Sequence, residues 1–379
     1  MSVDAWRLPW QGKMVPHAVI EILRECNITC RACYKNCPPE PPKTLVQIEE
    51  ELDALLELRR LSSVSLLGGE VSLHPQLCDI IRLIKGKGLC VELMTNGVTM
   101  DADFCRSLKD AGLDVIYFHI ERGQTRPDLP DTHTGEDLNN LRREKAVTAG
   151  RAGLDVGLTA TAYPGEIRDI HDVMSLTLDT PELNYLLITL FRDHAGIQSL
   201  RGDIRTGFAG SGTPPDASSL QNNTWFAEWV RNEFELEPFG WMGSNMDRDD
   251  PRWLSYLIGA VYDGDAAPHI EYIRPSLLEK VSMLIFRIAG RYPMYLEQNQ
   301  ARFRTQLALN GILGGRRRSN RELVRRSGKS GVQLTTKRIL FQNPAELTAD
   351  GQLIHCEWCP DAVLKNGALV PVCVADNVS

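Results

Sequence analysis

The sequence contains no apolar run near the ~20 residues that a membrane-crossing helix requires. Its opening stretch, MSVDAWRLPWQGKMVP, has no apolar centre, so no signal peptide is expected and a cytoplasmic location is. There is no excess of positive charge. Asp and Glu outnumber Lys and Arg by 49 to 42, a net charge of −7, which disfavours general binding to nucleic acid or anionic surfaces. No fixed-period repeat and no low-complexity tract interrupts the 379 residues. At 43% hydrophobic and 24% charged, the composition is that of a globular chain long enough for a substantial core. Cysteine is the residue that is not scarce. There are ten, and in a reducing compartment clustered cysteines point to metal or redox chemistry in place of disulfides.

Short apolar runs predict strands at 18–24, 63–67, 89–97, 114–120, 155–162 and 184–191. Helical patterns lie between them, near 44–60, 75–87, 101–111, 136–153 and 166–178. Thr44 and Gln47 form a capping box at the start of the first. Strands alternating with helices of this length imply parallel βαβ units. After Arg192 the alternation stops. Residues 202–223 are rich in Gly, Ser, Pro and Asn and predict a long loop, and 224–237 and 275–290 predict helices. The basic stretch within 311–338, GGRRRSNRELVRRSGKSG, is either a solvated helix and loop or a patch for an anionic substrate or carrier.

Residues 26–37 read CNITCRACYKNC. Cys26, Cys30 and Cys33 follow a C-x3-C-x2-C spacing directly after the first predicted strand. Three thiolates on one loop reach three corners of an iron–sulfur cube and leave a fourth iron open to substrate. With Cys37 as a fourth ligand the same loop would make a closed zinc knuckle.

This spacing after the first strand resembles the radical S-adenosylmethionine (radical SAM) superfamily. Gly68-Gly69-Glu70 at the end of the second strand and Thr95-Asn96-Gly97 at the end of the third match that superfamily's strand-end motifs. The resemblance covers about residues 16–192 and implies an α/β fold, a partial (βα)6 TIM-like barrel. It implies that Gly68, Gly69 and Glu70 receive the methionine amino group of the cofactor and that Thr95 and Asn96 lie near it. Many members carry an aromatic just before the third cysteine; here that place is Ala32, and Tyr34 is the candidate for covering the adenine. Alternation puts Tyr117, His119 and Glu121 on one face of the fourth strand and Ile116, Phe118 and Ile120 on the other. His119 and Glu121 are thus candidate catalytic or cofactor contacts in the barrel, although a hydrogen-bonded core histidine has the same signature. Thr159 and Thr161 face inward by the same alternation, as cofactor contact or as barrel filling.

Near the C-terminus, Cys356, Cys359 and Cys373 are spaced C-x2-C-x13-C around Asn366-Gly367, a hairpin turn signal. The segment resembles the auxiliary iron–sulfur modules (SPASM and twitch types) of radical SAM enzymes, and a zinc ribbon is the alternative. Cys37 either completes this second [4Fe–4S] cluster or lies free at the barrel mouth. Cys78, Cys90 and Cys105 fall in or beside predicted elements and read as buried apolar residues. The resemblance divides the chain into a (βα)6 core at 1–200, a helical and loop substrate-covering region at 201–340 and a cluster module at 341–379. Within the middle region, 239–257 would roof the site or serve as core, with Asp247, Arg248, Asp249, Asp250 and Arg252 available to a polar substrate.

The implied reaction is reductive cleavage of S-adenosylmethionine to a 5′-deoxyadenosyl radical that abstracts hydrogen from a substrate carbon. The auxiliary cluster would assist oxidation, epimerisation or coupling. A one-electron donor such as flavodoxin or ferredoxin is the implied partner. About 17 residues precede the first strand, so no cobalamin or peptide-recognition domain is expected there, and a small metabolite or natural-product intermediate is the expected substrate. The alternatives are a peptide-maturing radical SAM enzyme and a non-catalytic iron–sulfur or zinc protein.

Overall fold

A computed structural model describes residues 5–31, 33, 35, 40–130, 132–192, 222–264, 266–294, 299–348 and 351–376. A two-residue strand, β1 (Trp6–Arg7), precedes the βα series. The series itself is β2 (His17–Leu23), α1 (Leu45–Leu58), β3 (Ser63–Gly68), α2 (Leu77–Gly86), β4 (Cys90–Thr95), α3 (Ala102–Ala111), β5 (Val115–His119), α4 (Gly135–Arg151), β6 (Asp155–Ala162), α5 (Ile167–Asp179) and β7 (Leu183–Leu190). Each neighbouring pair from β2 to β7 is parallel, in sequence order. This is the expected α/β arrangement of a partial barrel. The capping box at Thr44 and Gln47 opens α1 as expected, and a second, from Thr134 and Asp137, opens α4. Four of the backbone donors at a helix start lack intrahelical partners, and these side chains satisfy some of them.

The two faces of the strands separate by alternation. Ile20, Ile22, Val64, Leu66, Ile116 and Phe118 are buried against the helices, which present Ile48, Leu52, Leu55, Ile80, Ile81 and Ile84. The opposite face carries His17, Ser63, Ser65, Glu92, Tyr117 and Tyr185. His17 lies between Ser63 Oγ (2.7 Å) and Ser65 Oγ (3.1 Å). Burial, helped by the Arg59 charge, lowers its pKa to about 3, so it is neutral. Burial and the Asp361 carboxylate push Glu92 up to about 7.

The segment after β7 corrects the expectation of helices and loops over 201–340. It does contain helices: α6 (Asn223–Phe234), α7 (Leu277–Ala289), α8 (Gln300–Leu313) and α9 (Arg317–Arg326). It also supplies β8 (Gly240–Met242), β9 (Trp253–Tyr262), β10 (His269–Tyr272) and β11 (Gln333–Gln342), all in the main sheet. β11 pairs parallel with β7 and antiparallel with β9, so the sheet continues in the order β7-β11-β9-β8-β1. Two features hid these strands. β9 is apolar on both faces and shows no alternation. β11 contains Lys337, whose charge reads as surface yet whose side chain is fully buried, donating to Thr180 O (2.8 Å) and Leu183 O (2.6 Å). Of the predicted loop at 202–223, residues 202–221 lie outside the described residues, as do Ala32, Tyr34 and Cys37, and Asn223 already begins α6.

The chain closes with β12 (Glu346–Leu347), β13 (Leu353–Ile354), β14 (Ala362–Lys365) and β15 (Ala368–Pro371). β14 and β15 form the expected hairpin. Asn366 (φ 50°) and Gly367 (φ 78°) both take the left-handed conformation that such a two-residue turn demands. Val363, Val372 and Ala375 pack on Val19, which points away from the helices. The hairpin therefore fills the barrel side of β2.

Candidate functional site

The loop after β2 is held by two other strand ends. Glu70 N donates to Glu25 O (2.7 Å) and Gly69 N to Leu23 O (3.1 Å). A Cβ on Gly69 would stand 2.1 Å from Glu25 O. The glycine pair thus admits the backbone of the cysteine loop itself. The Glu70 side chain is fully buried and accepts from Ser72 N (3.0 Å), Thr95 Oγ1 (2.5 Å) and Asn96 N (2.6 Å). Asn96 in turn donates from Nδ2 to Asn27 Oδ1 (2.7 Å), inside the cysteine loop. The GGE and TNG ends are therefore one hydrogen-bonded unit with the loop. Glu70 positions it, with all three acceptor interactions made within the fold.

The other side of the loop is fixed by residues that sequence reasoning missed. Arg31 N donates to Gly123 O (2.9 Å), and Thr125 N to Thr29 O (3.0 Å). Gly123 has φ 76°, and a Cβ there would lie 2.8 Å from Arg31 Cβ, so both conformation and space require glycine. Gln124 Nε2 reaches Cys30 Sγ (3.5 Å) and His119 O (3.1 Å), while its Oε1 accepts from Glu121 N (3.1 Å). Arg31 pairs with Glu166 (2.6 Å) and its guanidinium sits 4.3 Å from the centre of the Tyr163 ring. The only local signal was RGQT after a strand, a turn motif that does not reveal a partner 94 residues away.

His119 and Glu121 lie beside this loop. His119 Nδ1 meets Thr159 Oγ1 (2.7 Å), and Nε2 is 3.4 Å from Glu121 Oε1. Glu121 also accepts from Thr161 N (2.9 Å) and Tyr163 Oη (3.0 Å). Burial opposes the charge on His119, but the Glu121 carboxylate and the adjacent Cys30 outweigh it and hold the imidazolium well above its usual range. Burial likewise opposes ionisation of Glu121, yet His119 and the Thr161 hydrogen bonds bring its pKa below the usual value. The pair joins a half-buried imidazolium to a buried carboxylate at the barrel mouth, offering a donor and an acceptor side by side.

None of Cys26, Cys30 and Cys33 is joined in a disulfide. Burial raises Cys26, and the neighbouring Cys30, Glu70 and Cys33 raise it further, so the three face one another closely enough to repel when ionised. A cationic group shared by such thiolates relieves that repulsion. The set fits an iron–sulfur cluster with three cysteine ligands.

The C-terminal thiols also come together. Cys356 and Cys359 are buried beside Trp10, Met242 and Trp253. A hydrogen bond with Cys356, then burial, raises Cys359 well above its ordinary range. Burial and Cys359 push Cys373 up to about 12. Thiols held protonated by burial and by a neighbouring thiol, as Cys359 and Cys373 are, suit a group that takes them as thiolates. Among the described residues, no three such side chains meet at a single metal-ion position. Arg59 binds Cys359 O (2.8 Å), Pro360 O (3.1 Å) and His17 O (2.6 Å), which anchors this segment at the start of β2. The first thiol group follows the other end of the same strand, roughly 20 Å of extended chain away. Lys35 Nζ, in the first cysteine loop, contacts Val372 O (3.5 Å).

Other candidates resolve differently. Met242 and Trp253 are core and not a roof. Arg252 is buried and bound to Glu346 (2.6 Å) and Pro344 O (2.7 Å), so it is not available to a substrate. Cys105 is buried, and Cys78 and Cys90 are partly so.

Residues 20–177 match the family model described as the radical SAM superfamily. The GTP 3',8-cyclase of Chlorobaculum tepidum is 31% identical over 113 residues, 29% of this chain and 34% of that protein. The antilisterial bacteriocin subtilosin biosynthesis protein AlbA of Bacillus subtilis is 24% identical over 166 residues, 43% of this chain and 37% of its own. The crystal structure of Streptococcus suis SuiB bound to S-adenosylmethionine aligns with 58% of this chain and 48% of that one, at 10% identity and a TM-score of 0.40. The chain spans between 30% and 51% of the length of such curated relatives.

Proposed function

We propose that this chain is a radical SAM enzyme, as the match of residues 20–177 to that family model suggests, and that it cleaves S-adenosylmethionine reductively and abstracts hydrogen from a small-molecule substrate. The observation that carries this reading is the joining of three strand ends. Cys30 connects through Gln124 to His119, and Asn27 connects through Asn96 to Glu70, so motifs far apart in sequence share one barrel mouth. Cys26, Cys30 and Cys33 would hold a [4Fe–4S] cluster, which with S-adenosylmethionine would supply the electron transfer and the radical that abstracts hydrogen.

The protein's residues then position and shield. Glu70 orders the backbone of Asn96 and Gly97. Gln124 fixes Cys30 against β5. Thr161 N and Tyr163 Oη hold Glu121 in place. His119 and Glu121 contact cofactor or substrate as donor and acceptor. A second [4Fe–4S] cluster is carried by Cys356, Cys359 and Cys373, with Cys37 as its fourth ligand or free at the mouth. The β14–β15 hairpin against Val19 supports a small substrate, because it takes up barrel interior that a peptide would need. The similarity to AlbA favours a peptide substrate as the second reading. The electron donor is a flavodoxin or ferredoxin, and the setting is cytoplasmic.

Cysteine variants test this directly. Under anaerobic reconstitution, Cys30→Ala loses one cluster's iron and all 5′-deoxyadenosine formation. Cys359→Ala loses the other cluster's iron and keeps cleavage uncoupled from product. Cys37→Ala with an unchanged iron count removes it as a ligand. Equal iron in wild type, Cys30→Ala and Cys359→Ala contradicts the two-cluster reading. Product formation that requires an added precursor peptide favours the second.

A further inference from the structure

Residues 274–331 contain thirteen Lys and Arg against three Glu, a net charge of +10 within a chain of −7. This part of the sequence takes no role in the proposed chemistry. The same segment holds eight of the twelve exposed large hydrophobic side chains among the described residues.

α7 is the centre of this face. Leu277, Val281, Leu284, Ile285 and Ile288 recur at helical spacing on one side and are 46% to 79% exposed. The inner side of α7 is polar where it meets α8. Glu279 accepts from Gln306 Nε2 (3.0 Å) and Asn310 Nδ2 (2.6 Å), and Ser276 Oγ donates to Asn310 Oδ1 (2.7 Å). Polar groups make the α7–α8 seam, Met283 and Phe286 pack inward on the group around Trp10 and Trp253, and a separate apolar stripe of α7 faces outward. The last turn of α8 abuts the first turn of α7 through Asn310 and Ser276, so Ile312 (66% exposed) and Leu313 (42%) extend the stripe. Lys280 and Arg287, seven residues apart, lie exposed along one edge of it. Arg317 and Arg318 are exposed on the adjoining α9.

We propose that this face docks on an anionic lipid surface, with the stripe at the boundary of headgroup and acyl chain and the cations on the phosphates. The charge selects the occupant. A second copy seated symmetrically would set Lys280, Arg287, Arg317 and Arg318 against the same cations of its partner. An anionic bilayer complements both the charge and the apolar arc. The attachment is peripheral, since no helix among the described residues is long and apolar enough to cross a membrane.

The test is flotation of the full chain, reconstituted anaerobically, with vesicles of phosphatidylcholine alone or mixed with phosphatidylglycerol. Wild type is expected to float with the anionic vesicles at low salt, and at least ten-fold less with neutral ones. The variant Arg317→Gln/Arg318→Gln should weaken binding at least ten-fold, since each cation near such a surface contributes about five-fold. The variant Leu284→Ser/Ile285→Ser/Ile288→Ser should abolish flotation while iron content and melting temperature stay unchanged, because all three are exposed. No flotation with either vesicle, or equal flotation with both, overturns the proposal. So does a concentration-dependent dimer in sedimentation velocity that Ile285→Glu dissolves, or an acidic protein that binds this face while vesicles do not.

Discussion

Replacing Glu70 by Gln separates two roles that one residue could play. Oε1 accepts from Thr95 Oγ1 and Ser72 N, and Oε2 accepts from Asn96 N at 2.6 Å. Every partner is a donor, so an amide turned either way points its NH2 at another donor. The less costly orientation sacrifices the bond from Asn96 N, which is buried. A lost hydrogen bond of this charge-assisted kind costs about 2 to 3 kcal/mol. For a chain of 379 residues that lowers the melting temperature by roughly 2 to 4 °C. The assay is anaerobic thermal unfolding of the reconstituted variant beside wild type at one scan rate, paired with S-adenosylmethionine binding. The reasoning predicts a clear drop in melting temperature before any ligand is added. A melting temperature within about 1 °C of wild type, with binding weakened ten-fold or more, would refute it and return Glu70 to the role of direct ligand for the methionine amino group.

Gly123→Ala should cost about 1 to 2 kcal/mol for its positive φ and more for the contact with Arg31, and should lower the iron retained by the first cluster; wild-type iron content would sink this account of the loop. Lys337 predicts a pH dependence away from the site. Burial lowers its pKa to about 7, against ~10.4 in the unfolded chain, so the unfolded state holds more protons between these values. Stability therefore rises as pH climbs from about 7 to about 10, and the penalty below that window is up to about 5 kcal/mol. Lys337→Met should flatten the rise in urea midpoint between neutral and alkaline pH, and an unchanged slope would contradict it.

The legible parts of the molecule were those with local period. Alternation placed His119 and Glu121 away from Phe118, and Asn366-Gly367 announced its own hairpin. Cysteine spacing marked both thiol groups. What stayed hidden was set by tertiary placement. Glu70 looks like a free carboxylate at a glycine turn, and only the fold shows three donors already on it. Gly123, Gln124 and Thr125 hold the cysteine loop from almost a hundred residues away, so nothing near Cys30 foretells them. Lys337 reads as surface because the cost of burying an amine is not visible in sequence; here two carbonyls, Thr180 O and Leu183 O, accept from it.

The central claim is that the barrel mouth binds S-adenosylmethionine on an open iron held by three cysteines. Anaerobic reconstitution, reduction and addition of S-adenosylmethionine, with 5′-deoxyadenosine quantified beside iron and sulfide, tests it most directly. The account predicts release of 5′-deoxyadenosine from protein that carries iron and sulfide for two clusters. Stoichiometric zinc with almost no iron, and no 5′-deoxyadenosine, would contradict it.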